Sequence, residues 1–133
     1  MQDQQQWLIP VAAGELIDKI TILEIKLVNL RSKEARANVA LELNALQQIL
    51  KTSKATHPDL KKHITDLVAI NKQLWDVEDQ LRLLEKDNNF SDQFIELARS
   101  VYKLNDERST IKRYINECLG SRLMEEKSYG ENN

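Results

Sequence analysis

Apolar residues recur at three- and four-residue intervals along most of this chain, the spacing of helices that each bury one stripe. Leu16, Ile20, Leu23, Leu27 and Leu30 predict a first helix from about Gly14 to Arg31. Val39, Leu43, Leu46 and Leu50 predict a second from about Lys33 to Lys51. Ser32 is the only stop-and-start signal between them, so one long rod is an alternative. Thr52 to His57 is a clear break, and Pro58 suits the start of a third helix, where its missing N–H is not needed. That helix continues to about Lys86, with Leu60, Leu67, Leu74 and Leu81 at heptad spacing. The turn formers Asp87, Asn88 and Asn89 follow, then Ser91 as a candidate N-cap, with Phe90 and Ile95 as a candidate hydrophobic staple. A fourth helix then runs to Gly120, a natural glycine for the position after a helix.

These elements predict an all-α antiparallel bundle of about four helices in one domain, with a long hairpin of the third and fourth. Residues 1–13 hold an apolar strap, Trp7-Leu8-Ile9-Pro10-Val11, in which Pro10 keeps Ile9 extended and which is expected to pack across the bundle. Residues 121–133 form a polar tail expected to fray, with Leu123, Met124 and Tyr129 able to dock.

The polar positions are the more informative ones. The alternate seam of the third helix reads Ile64, Asn71, Glu78, Glu85. The fourth carries Phe94, Leu97, Val101, Leu104, Arg108, Ile111, Ile115 and Cys118, interrupted only at Arg108. Beside that seam lies a second stripe of Tyr102, Asn105, Lys112 and Asn116. Folding the hairpin about its loop brings Glu78 near Arg99, Arg82 near Glu96, and Asn71 near Asp106. Opposite charges at two levels would fix register and partner choice, and long charged side chains can also snorkel out of a seam. Alternatively, Asn71, Glu78, Arg99, Tyr102, Asn105, Arg108 and Lys112 converge on a small anion, with arginine as a forked donor and lysine as a point charge.

Composition narrows the function classes. The 133 residues are 41% hydrophobic and 30% charged, with three Gly, two Pro and 5% aromatics, as long helices require. A net charge of −2 disfavours nucleic acid, whose best site, Lys51, Lys54, Lys61 and Lys62, is loosely spaced and lacks interleaved aromatics. Cys118 is the single cysteine, so no intrachain disulfide forms; on an apolar seam near a helix C-terminus it reads as a core residue. Neither a signal peptide nor an apolar run of the ~20 residues a bilayer needs is visible, which makes the cytoplasm the expected location and excludes a membrane partner. No cofactor is expected. Glu15 with Asp18, and Asp76 with Asp79, have the i, i+3 spacing that can hold Mg²⁺, as in all-α nucleotide pyrophosphohydrolases, but the Glu-rich double motif of those enzymes is missing. His57 and His63 lack a second ligand pattern and suit the start of a helix.

Several strings together resemble a known family. They are Ile9-Pro10-Val11 followed by Gly14 to Lys26 (GELIDKITILEIK); Leu74-Trp75 with Glu78-Asp79; Phe94-Ile95 with Leu97-Ala98-Arg99; Val101-Tyr102; Asn105 to Arg108; Ile111-Lys112; Ile115-Asn116; and Glu125 to Tyr129. The pattern is similar to that of small all-helical bacterial proteins of unknown function, which occur alone or fused to repeat-containing or glycosyltransferase-like proteins. The resemblance implies a complete domain and brings no activity, substrate or catalytic residue.

The expected function is therefore a helical binding or interaction module, self-associating or docking a helical protein. The alternative is an enzyme or sensor for a small anionic metabolite, a nucleotide or phosphosugar. Chorismate-mutase-like enzymes show that a helical bundle can do chemistry with Arg, Lys and Glu, an analogy of fold alone. Arg108 separates the readings. As a register residue, its replacement by leucine would be neutral or stabilising. As an anion ligand, the replacement would cost binding and not stability. A lower melting temperature would mean that it holds a buried carboxylate, with Asp106 and Glu78 as the nearest choices.

Overall fold

A computed structural model describes residues 5–128, and every regular element among them is an α-helix. The helices are α1 (Ala13–Asn29), α2 (Lys33–Ser53), α3 (Leu60–Lys86) and α4 (Asp92–Cys118).

Local chemistry sets each boundary. Ser32 separates α1 from α2, its hydroxyl accepting the Ala35 N–H at 3.2 Å, so the two are distinct helices and not one rod. Arg36 closes the same corner by donating to the Leu27 and Leu30 carbonyls at the end of α1. His57 Nδ1 accepts the Asp59 N–H at 3.1 Å just before α3, the helix-start role anticipated for it. At the hairpin loop Asn88 takes a left-handed φ of 51°, and Asn89 N–H reaches back to the Leu84 carbonyl at 2.8 Å. Gly120, with φ 62°, ends α4 in the same way, Ser121 N–H bonding the Asn116 carbonyl at 2.8 Å. The staple at the start of α4 differs from expectation: Phe90 packs edge-on against Phe94, with ring centroids 5.2 Å apart, while Ile95 faces outward. Ser91 precedes α4 without a side-chain cap bond.

The helix α1 is the central element. One side carries Ile20 and Leu23, which pack with Leu43 of α2 and with half-buried Val39, Leu46 and Leu50. The other carries Ile17, which meets Leu67 of α3 and Ile115 of α4 in the driest part of the core. α2 packs along α1 alone, whereas α1, α3 and α4 all contact one another. In the α3–α4 hairpin the His63 and Tyr114 rings lie 5.4 Å apart, at the level that folding about the loop assigns them. α1 has 17 residues and α3 and α4 have 27 each, about 25 Å against about 40 Å of helix. All buried residues of α3 lie at or before Leu74, and all those of α4 at or after Lys112. The far half of the hairpin is thus a two-helix projection.

Two expectations about the ends are corrected. The strap does not cross the bundle: Trp7 and Leu8 are each 82% exposed and Ile9 75%. The chain enters the body at Ala12, whose following N–H groups are fixed by Ser121 and Asn116, and this leaves the preceding residues directed past the helices. The tail does not fray between Ser121 and Ser128 but returns along α4 on ion pairs, Arg113 with Glu126 at 3.4 Å and Lys127 with Asp106 at 3.7 Å. Its apolar residues Leu123 and Met124 remain exposed, and Tyr129 lies outside the described residues.

Gly14 marks the closest approach of α1 to α4. A Cβ there would meet the Lys112 carbonyl oxygen and lie 2.9 Å from Asn116 Oδ1. Because the obstacle is helix backbone, α1 would have to move. Gly14→Ala is expected to cost about 1–3 kcal/mol of stability, measured by urea unfolding; a change within error would show that the approach is loose.

Candidate functional site

Lys112 and Asn116 of the second polar stripe of α4, with Arg108 of its seam, face α1. Since α1 runs antiparallel to α4, Gly14 meets Asn116, Glu15 meets Lys112, and Asp18 meets both Lys112 and Arg108. Glu15 and Asp18 are one turn apart on α1, as Arg108 and Lys112 are on α4, so two acids oppose two bases across one interface.

Asp18 is fully buried and is the hub. Its Oδ1 accepts from Arg108 Nε and from Asn71 Nδ2, each at 2.9 Å, and its Oδ2 accepts from Arg108 Nη2. Arg108 therefore grips the carboxylate with a two-toothed fork. Asn71 gives its second N–H to Thr21 Oγ1 at 2.8 Å, and Thr21 in turn donates to the Asp18 carbonyl. Lys112 Nζ lies 2.7 Å from Glu15, 2.9 Å from Glu125 of the tail, and 3.8 Å from Asp18 Oδ2. Asn116 Oδ1 accepts the Gly14 N–H at 2.6 Å and Ser121 Oγ the Ala13 N–H at 3.1 Å, which caps α1 from α4 and its exit. Among the described residues no buried side-chain nitrogen or oxygen lacks a partner.

The electrostatics follow from these contacts. The hydrogen bond to Asp18 raises the Arg108 pKa above its ordinary value against the opposing pull of burial, with the charges of Asp18, Glu15 and Glu125 adding to the rise. For Lys112 burial is the largest influence and lowers the pKa, yet the bonds to Glu15 and Glu125 and the charge of Asp18 outweigh it and the net shift is upward. Both bases stay charged at neutral pH.

The seven residues predicted to converge on an anion are divided by the structure. Asn71, Asn105, Arg108 and Lys112 come together around Asp18, Arg108 Nη1 reaching Asn105 Oδ1 at 3.3 Å. Glu78 is an exposed residue at the edge of this group. Arg99 and Tyr102 are exposed on the projecting part of α4 and take no part. The cross-hairpin ion pairs Glu78–Arg99 and Arg82–Glu96 do not form; Arg82 lies 3.8 Å from Asp79 on its own helix. These long side chains are solvated, where a pair gains little and loses rotamer freedom. Asn71 turns toward α1 instead of toward Asp106, and the carboxylate partner of Arg108 is Asp18 rather than Asp106 or Glu78. The candidate Mg²⁺ ligands Glu15 and Asp18 are occupied by lysine and arginine, while Asp76 and Asp79 are exposed. No cluster of three or more His, Cys, Asp or Glu side chains suited to a metal ion occurs among the described residues.

Residues that sequence reasoning left out complete the picture. Glu125 enters the network from the tail, and two clefts open beside Trp75, between α1 and the hairpin. One, of about 400 Å³, has Val28, Val68, Lys72 and Asp76 in its wall. The other, of about 330 Å³, ends on Arg108 and Asn105 and is bordered by Lys26, Arg82 and Glu78.

A helical body whose central helix is riveted to its neighbours by a buried ion network, with open clefts beside that network, defines the class. The chain belongs to a family of unknown function (DUF6165), whose model matches residues 8–132. No curated protein and no solved structure matches the chain.

Two predictions test the network. Arg108→Leu leaves a buried carboxylate without its cation and should cost about 3–5 kcal/mol in chemical unfolding. Adding Asp18→Asn should return a large part of that loss, and a double variant no more stable than Arg108→Leu alone would contradict the pairing. The Lys112 pKa is higher folded than unfolded, so its stabilisation is complete below the ordinary lysine value of 10.5 and is lost as pH rises through the folded value. Lys112→Arg, which does not titrate there, should therefore lose less melting temperature than wild type between pH 9 and 11.5, about the range that brackets lysine titration.

Proposed function

We propose that this protein is a helical interaction module that pairs with a second copy of itself through the free end of the α3–α4 hairpin. The observation that carries this reading is the mismatch in length: α1 ends at Asn29, and from Trp75 through Ile111 the hairpin has no buried residue. Its seam residues Leu81, Leu84, Phe94 and Leu97 are only half-buried, and Leu83, Phe90 and Ile95 are mostly exposed. Two helices alone cannot shield a seam that three or four helices shield elsewhere.

A second copy fits because both signs of charge alternate toward the tip, with Glu85 and Glu96 beside Lys86 and Arg99. Two such tips related by a two-fold axis form a four-helix bundle in which each patch meets its own complement. A strongly acidic or basic partner would find no matching field there.

Sedimentation velocity tests this directly. The expected result is a concentration-dependent dimer that Leu83→Glu or Ile95→Glu converts to monomer without loss of helicity. A wild-type monomer at about 100 μM, a concentration that would populate even a weak specific dimer, would overturn it.

A further inference from the structure

The smaller cleft beside Trp75 has a composition that the buried network does not explain. Arg108 commits Nε and Nη2 to Asp18 and one N–H of Nη1 to Asn105 Oδ1 at 3.3 Å, so its guanidinium is held rigidly and the second N–H of Nη1 is left to donate. Two further cations border the same space. Lys26 forms no ion pair among the described residues, and Arg82 has only the long 3.8 Å contact to Asp79. Arg108 is already balanced by Asp18, so the cleft's own charges are Lys26 and Arg82 against one lining carboxylate, Glu78. Asn71 uses both amide hydrogens on Asp18 and Thr21, and its Oδ1 takes no bond from the described residues. Since no buried polar side-chain atom among them is left unsatisfied, that oxygen opens to the cleft it lines. Trp75 and Ile25 supply an apolar wall.

We infer that this cleft is a binding site for a small hydroxylated oxyanion, a phosphate monoester or a carboxylate, whose charged group sits among Arg108, Arg82 and Lys26. A pre-fixed arginine with flexible cations around it is how proteins hold such groups, because the arginine loses no further rotamer freedom on binding. Glu78 and Asn71 Oδ1 are acceptors and call for hydroxyl donors on the same ligand. The carbon skeleton packs on the Trp75 ring, and about 330 Å³ is at the small end of ligand pockets. Lys112, which sequence reasoning grouped with Arg108, is no part of the site, being enclosed by Glu15, Glu125 and Asp18. This inference is independent of dimerisation through the hairpin tip.

Trp75 and Trp7 are the two tryptophans, and Trp7 lies exposed on the strap, so Trp7→Phe leaves Trp75 as the sole reporter. Its emission is followed during titration with ribose 5-phosphate, ribonate, ribose and inorganic phosphate. The expected result is a saturable change with ribose 5-phosphate or ribonate and none with ribose, the tighter of the two identifying the preferred oxyanion. Lys26→Gln and Arg82→Gln replace exposed or half-exposed side chains outside the buried network. Each should weaken binding about tenfold, the equivalent of one lost charged contact, while leaving the ligand-free melting temperature unchanged. Equal affinity for inorganic phosphate and ribose 5-phosphate would overturn the role given to Glu78 and Asn71. No saturable response up to about 10 mM, beyond the roughly 1 mM range of weak specific binding, would overturn the site itself. So would unaltered affinity in both charge variants.

Discussion

Everything in the body of this protein depends on keeping one carboxylate out of water. Asp18 has no exposed surface, and a bare carboxylate there would be costly enough to stop α1 from docking. It is acceptable only because Arg108, Asn71 and, at longer range, Lys112 arrive from α3 and α4 in fixed places. This requirement is directional, unlike the contact of Ile17 with Leu67 and Ile115, which would tolerate small shifts. Apolar burial holds the helices together, and the carboxylate decides how far along one another they sit.

The same requirement explains the closeness of α1 and α4. Short side chains and backbone groups make the contacts at the end of the interface, Gly14 with Asn116 and Ala13 with Ser121. A bulkier residue at position 14 would separate the helices and lengthen every bond around Asp18. Glu125 extends the pattern to the tail, since the Nζ of Lys112 would otherwise face two acids from one helix and nothing from the side the tail covers. Stability, spacing and tail placement are thus one arrangement of charges.

Much of the fold was legible because periodicity and punctuation agree. Ser32, Asn88 and Gly120 stop or start helices by local geometry, and heptad leucines place α3 against α4 whatever the distant chain does. The polar site was legible only in part. Asn71, Asn105, Arg108 and Lys112 stand out as interruptions of an apolar repeat. Their partner lies on α1, where Asp18 falls among residues that read equally well as a solvated face or an i, i+3 metal pair. The available signal was reciprocity: acids one turn apart on one helix, bases one turn apart on another. Trp75, Lys26 and Arg82 could not have been grouped from spacing, because three helices contribute to that cleft only once packed. The strap misled for the opposite reason. Its apolar residues imply burial, but entry of the chain at Ala12 gives them no surface of the body to cover.

The placement of α1 also has a consequence for the order in which the molecule is made. The bonds that satisfy Asp18, Glu15, Gly14 and Ala13 join residues separated by 90, 97, 102 and 108 positions in the chain. On a ribosome α1 emerges first and can pair early with α2 through Ile20, Leu23 and Leu43, whose separation is short. Its other face must wait, with an acid pointing at solvent, until the last turns of α4 have cleared the exit. Final assembly is therefore deferred until α4 has been made, and a nascent chain lacking α4 leaves Asp18 without the Arg108 and Lys112 cations.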